Sequence, residues 1–258
     1  MKTGATEESH SFRLQLAFQG DITFFLRGKA RRHVERQLVE RTSVKDAIEA
    51  CGVPHPEIDL ILVNGKPVGF DHCVARDAEI EVYGVGTACP HCKQKRLQLF
   101  TVTRFVADGH LGGLTRNLRL LGFDAAYDSQ AQDDQLLDVM TREHRALLTR
   151  DRRLLMHAIV KTGYCPRSQN ADEQTIEVIR RFDLAELIAP FSRCLRCNAS
   201  LEAAAKVDII GKLEPLTTIY YDQFRSCTGC KQIYWPGSHF PKLQKRIDEI
   251  RSRVGGKA

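Results

Sequence analysis

No apolar run in this chain approaches the roughly 20 residues that a helix needs to cross a bilayer, so neither a membrane span nor a membrane partner is expected. The amino terminus, MKTGATEESHSF, lacks the apolar core of a signal peptide, and a cytoplasmic protein with a loose polar start is expected. Internal repeats and low-complexity tracts are also absent, which sets aside solenoid and array architectures. Acidic residues are scarce in two places. Between Lys93 and Arg119 six basic residues (Lys93, Lys95, Arg96, Arg104, Arg116, Arg119) face Asp108 alone, and the tail from Pro241 sets six basic residues against Asp248 and Glu249. Such clusters suit a polyanion, because neutralising phosphates releases counterions. A solvated, solubilising face is the plainer reading, and for the tail it carries at least equal weight.

The 258 residues are 43% hydrophobic and 27% charged, with a formal net charge of +6. That is ordinary globular composition, and the length allows one large domain or two to three small ones. Six of the nine cysteines form three Cys-x-x-Cys pairs: Cys89/Cys92, Cys194/Cys197 and Cys227/Cys230. Without a secretion signal this spacing favours metal or redox chemistry over disulfides. Cys194, Cys197, Cys227 and Cys230 can offer four thiolates to a tetrahedral Zn²⁺, a closed set that is structural rather than catalytic. A hairpin of KVDIIG and TTIYY fits the 29 residues between the two knuckles. Cys89 and Cys92 have no second pair to complete a site. An incomplete knuckle helped by His91 or His110, a redox pair and two ordinary linker cysteines stay open, and no catalytic role is assigned. Cys51, Cys73 and Cys165 read as small buried hydrophobes. Tyr234 and Trp235 can stack on bases, although packing is the commoner role of such a pair beside a metal knuckle.

Along the chain, FRLQLAF alternates as a strand, ITFFL is a second apolar run, and a basic stretch follows. Ser43 announces a helix, SVKDAIEACG, that stops at Gly52. IDLILVNGKPV reads as strand, Asn64-Gly65 turn and strand, and AEIEVYGV closes a small α+β sheet by about residue 88. After a linker over 89–102, a second unit over 103–190 alternates. RFVAD, FDAAYD and ALLTRD read as strands; GGLTRNLRLLG, DDQLLDVMTREHR and ADEQTIEVIRRF read as helices. This order predicts a mainly parallel sheet. A cysteine-paired module over 191–258 ends in a basic helix.

Ligands of an open parallel sheet gather beyond the carboxyl ends of its strands. Asp108 ends RFVA, Asp151 follows ALLT, and Asp133 and Asp134 open the helix between. Converging carboxylates repel and raise one another's pKa, and a hard divalent cation, Mg²⁺ or Mn²⁺, removes that conflict. Such a site suits phosphodiester hydrolysis, with arginines (Arg116, Arg119, Arg150, Arg152) holding a nucleic-acid backbone. Each acid also has a plain structural reading. Asp133 serves as a helix N-cap, Asp108 caps the helix after its strand, and Asp151 pairs with Arg150 or Arg152. On the residues alone the two readings stand about even.

The words RFVADGHLGGLTRNLRLLGFDAAYD and DDQLLDVMTREHRALLTRDRRLL resemble the PIN-like ribonuclease domain at the carboxy terminus of the mutator-seven exonuclease. PFSRCLRCNASL and FRSCTGCKQIYWPGSHF resemble that family's terminal zinc ribbon. SVKDAIEACGVPHPEIDLILVNGKPVGF resembles the ubiquitin-like β-grasp domain often fused in front of it. Together these stretches cover nearly the whole chain. The resemblance implies a multidomain α+β and α/β protein: β-grasp, central PIN-like parallel sheet, zinc ribbon. It implies metal-dependent cleavage of RNA, with Asp108, Asp133 and Asp151 as catalytic metal ligands. Asp134 is a substitute for Asp133, and Asp172 or Glu173 a weaker fourth acid. One departure stands in GGLTRNLRLLG, where Gly113 and Asn117 replace the arginine and tryptophan usual in relatives. A β-grasp sulfur carrier needs a terminal Gly-Gly. Here Gly255-Gly256 lies in the wrong segment, so sulfur carriage is set aside in favour of docking or orienting the nuclease, with a protein partner as a further option for this domain. The competing class is a non-catalytic RNA-binding adaptor; substrate, cleavage direction and oligomeric state lie beyond the sequence.

Overall fold

FRLQLAFQ alternates apolar and polar residues and forms β1 (Phe12–Gln19), whose Phe12, Leu14, Leu16 and Phe18 are buried. The computed structural model describes residues 11–26, 32–89, 96–98 and 102–255. Cys92, His91, Gly256 and most of the expected polar amino terminus lie outside the described residues. The chain divides into two units: Met1–Leu99 with Asp151–Gly163, and Phe100–Arg150 with Tyr164–Ala258.

In the first unit ITFFL lies in a 3-10 turn over Gly20–Phe25 that buries Ile22 and Phe25. The basic stretch after it yields β2 (His33–Leu38), antiparallel to β1 and without a fully buried residue. Its polar, charged composition is that of an edge strand, and it conceals the strand from a reading based on apolar runs. β3 (Thr42–Ser43) leads into α1 (Val44–Glu49), where Ser43 Oγ accepts the Asp46 N–H at 3.0 Å. β4 (Ile58–Val63) is buried throughout and turns through Asn64 (φ 49°) and Gly65 (φ 75°) into β5 (Lys66–Pro67). Two successive positive φ angles make this a type I′ hairpin turn. β6 (Cys73–Val74) pairs with β3, and β7 (Ala78–Gly84) completes the main sheet. Its order is β2-β1-β7-β4-β5, with β1 and β7 parallel and the other pairs antiparallel. This mixed sheet with one helix is the expected ubiquitin-like architecture.

The second unit is built on β8 (Arg104–Ala107), α2 (Gly112–Leu120), β9 (Asp124–Tyr127), α3 (Asp133–Glu143) and β10 (Ala146–Leu148). The chain then supplies α4 (Arg152–Leu155), which falls in the first unit, and continues with β11 (Gly163–Tyr164) and α5 (Ala171–Arg181). The sheet order is β11-β10-β8-β9, with β8 parallel to both β10 and β9. Phe105, Leu114, Leu118, Leu148, Ile176 and Phe182 belong to its core.

The cysteine module corrects one expectation. KVDI is α6 (Lys206–Ile209) and TTIY belongs to α7 (Pro215–Tyr220), so these runs do not form a hairpin. Pro215 at the first helical position presets the helical φ and gives up no hydrogen bond there. The ladder uses the segments flanking the cysteines instead: β12 (Leu201–Ala204), β13 (Phe224–Cys227) and β14 (Ile233–Tyr234), antiparallel in that order. The basic carboxy-terminal helix, α8 (Phe240–Val254), is amphipathic and buries Ile247 and Ile250 in the core of the sheet unit. Cys165 is buried as expected, but Cys73 is exposed and Cys51 half-buried. Among the described residues no helix is long and apolar enough to cross a membrane.

Candidate active site and cysteine metal centre

Asp108 follows β8 directly and is half-buried. Its Oδ1 accepts the His110 N–H at 3.4 Å, capping the 3-10 turn Gly109–Leu111, and its Oδ2 accepts the Thr149 hydroxyl at 2.8 Å. Thr149 is fully buried, where a hydroxyl without a partner is costly. This bond fixes the carboxylate against the end of the adjacent strand.

Asp133 and Asp134 are exposed and form the first two residues of α3. Neither is the N-cap. Gln132 holds that place in a capping box with Gln135, whose side chain accepts the Gln132 N–H at 2.9 Å. The two acids sit at the positive end of the helix dipole. Asp151 is exposed and is the N-cap of α4, its Oδ1 accepting the N–H groups of Arg153 at 2.7 Å and Leu154 at 3.2 Å. The chain passes from one unit to the other between Arg150 and Asp151.

The arginines separate by surroundings. Arg116 is exposed, and Arg150 is half-buried, binding the Ser168 carbonyl and Gln169 Oε1. Arg152 donates to the Phe25 carbonyl at 3.0 Å and lies over the rings of Phe24 and Phe25. Arg119 is 6% exposed, with Nε on the Ala125 carbonyl and Nη1 on those of Leu195 and Arg196. These two guanidiniums therefore brace the fold. Asp172 is bound by Asn117 and Arg246, and Glu173 forms a two-pronged pair with Arg253 at 2.5 and 2.7 Å. The Arg253 guanidinium holds the Glu173 carboxyl below its ordinary range.

The four cysteines Cys194, Cys197, Cys227 and Cys230 bring their sulfurs within 4.8 Å of one another, the one such group of three or more potential ligands among the described residues. Asp108, Asp133 and Asp134 are not gathered to that degree. The two knuckles repeat one geometry. Cys197 N–H points to Cys194 Sγ and Cys230 N–H to Cys227 Sγ, each at 3.4 Å. Asn198 (φ 71°) and Lys231 (φ 59°) then turn the chain left-handed after each pair. Such N–H groups aimed at sulfur favour thiolates. Burial raises Cys194, but the hydrogen bond from the Tyr234 hydroxyl (3.1 Å) and backbone donors outweigh it and hold the thiol down. The Ala199 N–H is the largest influence bringing Cys197 down to about 6, whereas burial pushes Cys227 up to about 11. Four converging sulfurs with such support can hold a metal such as zinc.

A Mut7-C RNAse domain model matches residues 103–247, more than half of the chain, and a Mut7-C ubiquitin model matches residues 12–89. The chain belongs to the Mut7-C RNAse domain family. No curated protein and no solved structure matches it.

Within the Mut7-C domain Gly113 and Asn117 both serve the packing of α2 on α5. A Cβ on Gly113 would stand 2.9 Å from the Ala171 Cβ, so glycine lets α2 approach α5 closely. Asn117 is 2% exposed and donates to Ala171 O, Asp172 Oδ1 and Thr175 Oγ1 at 3.3, 2.8 and 3.1 Å. The sequence reading missed Thr149 and a second polar junction. Asp124 on β9 binds Arg145 at 2.5 Å and Asn198 Nδ2 at 2.7 Å, tying the Mut7-C sheet to the first knuckle. Burial raises the Asp124 pKa, but these hydrogen bonds and the nearby Arg193 outweigh it and hold the group below 3.8. Thr149 had a signal, a hydroxyl ending an otherwise apolar strand. Asp124 and Asn198, 74 residues apart, had none.

Proposed function

We propose that this Mut7-C chain is a metal-dependent ribonuclease that hydrolyses RNA phosphodiester bonds. Asp108, Asp133 and Asp151 hold Mg²⁺ or Mn²⁺, with Asp134 in reserve. The family match over residues 103–247 carries the reading. The donor chemistry supports it: the acids are hard oxygen donors, and Mg²⁺ keeps several waters, so few carboxylates need to touch it. Bound there, the ion supplies an activated water and offsets charge on the attacked phosphate. Thr149 holds Asp108 in one orientation, and its hydroxyl occupies only part of the acceptor capacity of Oδ2. Arg116 and Arg150 hold the RNA backbone by charge. We assign Zn²⁺ to the four cysteines as a structural ion, and to the ubiquitin-like unit a protein partner.

The test is cleavage of end-labelled single-stranded RNA with Mn²⁺ by wild type, Asp108→Asn and Asp151→Asn. Loss of about 100-fold or more in each variant is expected, since each carboxylate is a proposed metal ligand. Equal cleavage by all three overturns the assignment. Binding without any cleavage by wild type makes the chain an RNA-binding adaptor instead.

A further inference from the structure

One cleft in the second unit, about 990 Å³ in volume, lies among α2, the cysteine ladder and the start of α8. Its lining combines two chemistries. Arg116, Arg193, Arg196 and Arg225 carry four positive charges, against one carboxylate, Asp222, which is bound to Lys206 Nζ at 2.7 Å. Arg193 is engaged by Asn198 O at 2.9 Å and by the Asp124 carboxylate at 3.6 Å, and Arg225 by Phe191 O at 2.9 Å. Arg116 and Arg196 are exposed and, among the described residues, make no side-chain hydrogen bond or ion pair. Beside these charges the cleft exposes aromatic surface. Trp235 is 39% exposed, and the rings of Phe191 and Phe240 stack 4.8 Å apart.

Excess arginine calls for an anion, and arginines spread over α2, the first knuckle and β13 call for one that carries several charges. An exposed indole in the same cleft calls for flat apolar groups, which unpaired bases offer and a duplex conceals within its own stack. We infer that this cleft is a binding site for single-stranded RNA, with a base stacked on Trp235 and phosphates held by Arg116 and Arg196. The inference rests on the proposed ribonuclease reading for the choice of RNA as the polyanion, and it names where that substrate is held. The site has a rigid support. Tyr234, next to Trp235, anchors its hydroxyl on Cys194 Sγ and accepts the Leu195 N–H at 3.2 Å, so the stacking residue is held by the metal knuckle.

Trp235 is the one tryptophan in the chain, so the intrinsic indole fluorescence reports on this cleft directly. Full-length Asp108→Asn protein, chosen to suppress cleavage, is titrated with a ten-nucleotide oligouridylate without added divalent metal. The expected result is quenching of Trp235 with a salt-dependent affinity. In anisotropy with fluorescein-labelled oligonucleotide, Arg116→Ala with Arg196→Ala lowers affinity at least tenfold and reduces the salt slope by roughly 1.4, at about 0.7 per lost phosphate contact. Trp235→Leu weakens binding by at least fivefold and Trp235→Phe by less, because phenylalanine still stacks. Circular dichroism and metal content confirm that these surface variants fold. Unchanged affinity in the arginine and Trp235→Leu variants overturns the inference, as does tighter binding of a matched duplex or equal quenching by polyglutamate, which marks an acidic protein segment as the occupant. Failure of the ribonuclease reading looks different: quenching and the variant effects persist while wild type cleaves nothing with Mn²⁺. Intact cleavage at unchanged KM in the arginine variant overturns the cleft alone.

Discussion

Arg119→Lys separates a structural arginine from an RNA-binding one. Arg119 makes three hydrogen bonds from a site 6% exposed, one to Ala125 after β9 begins and two to the knuckle carbonyls of Leu195 and Arg196. Burial opposes its charge, while Cys194, Cys197 and Asp124 support it. Lysine keeps the charge and the stem but lacks the planar fork, so its ammonium serves one side of this bridge. Two lost bonds at about 1.5 kcal/mol each, the low end for charged donors, amount to about 3 kcal/mol. For a unit of this size that lowers Tm by roughly 6–12 °C. Because the carbonyls belong to the first knuckle, metal release to a chromogenic chelator is also expected to quicken. Thermal melting by circular dichroism and the release rate are the measurements. An unchanged Tm and release rate together with weakened RNA binding would refute the reasoning and return Arg119 to the proposed RNA surface.

Asp124→Asn is expected to flatten the acid limb of stability. The Asp124 folded pKa lies below its ordinary 3.8, so its contribution is complete above that value and disappears as pH falls through the lowered one; identical acid melting curves for variant and wild type would contradict this. Thr149→Val keeps the shape but removes the hydroxyl from Asp108, and Mn²⁺-dependent cleavage is expected to drop about tenfold, the size expected where a group orients a proposed metal ligand, with Tm little moved relative to the activity loss. Asn117→Ala removes three bonds between α2 and α5 and should cost about 2 kcal/mol in urea unfolding; a neutral result would mean the helix contact does not depend on them. Cys227→Ser is expected to abolish bound zinc, read by elemental analysis, and metal retained at the wild-type ratio would argue against a four-cysteine centre.

Signals confined to a few neighbouring residues were readable in the sequence. The alternation of FRLQLAF, the Ser43 cap, the Asn64-Gly65 turn and the strand–helix order of the second unit each follow from local backbone and burial rules, and all appear in the fold. Signals that depend on context were not. HVERQL has a strand's alternation but an edge strand's polarity, and KVDI and TTIY carry apolar runs too short to distinguish strand from helix by period. Asp133 satisfied the rule for an N-cap, yet Gln132 and Gln135 close a capping box one residue earlier.

The sequence by itself determined the family, the two sheets in order along the chain and the pairing of the cysteines into two knuckles, because spacing and periodicity are properties of neighbours. Only the tertiary structure decided what each charged side chain does. Arg119 and Arg116 lie three positions apart on α2, yet one is buried against carbonyls and the other lines an open cleft. Thr149 reaches Asp108 across 41 residues, and Asn198 reaches Asp124 across 74. A buried polar atom must find a partner wherever the fold places one, and that partner is set by packing, not by its position in the sequence.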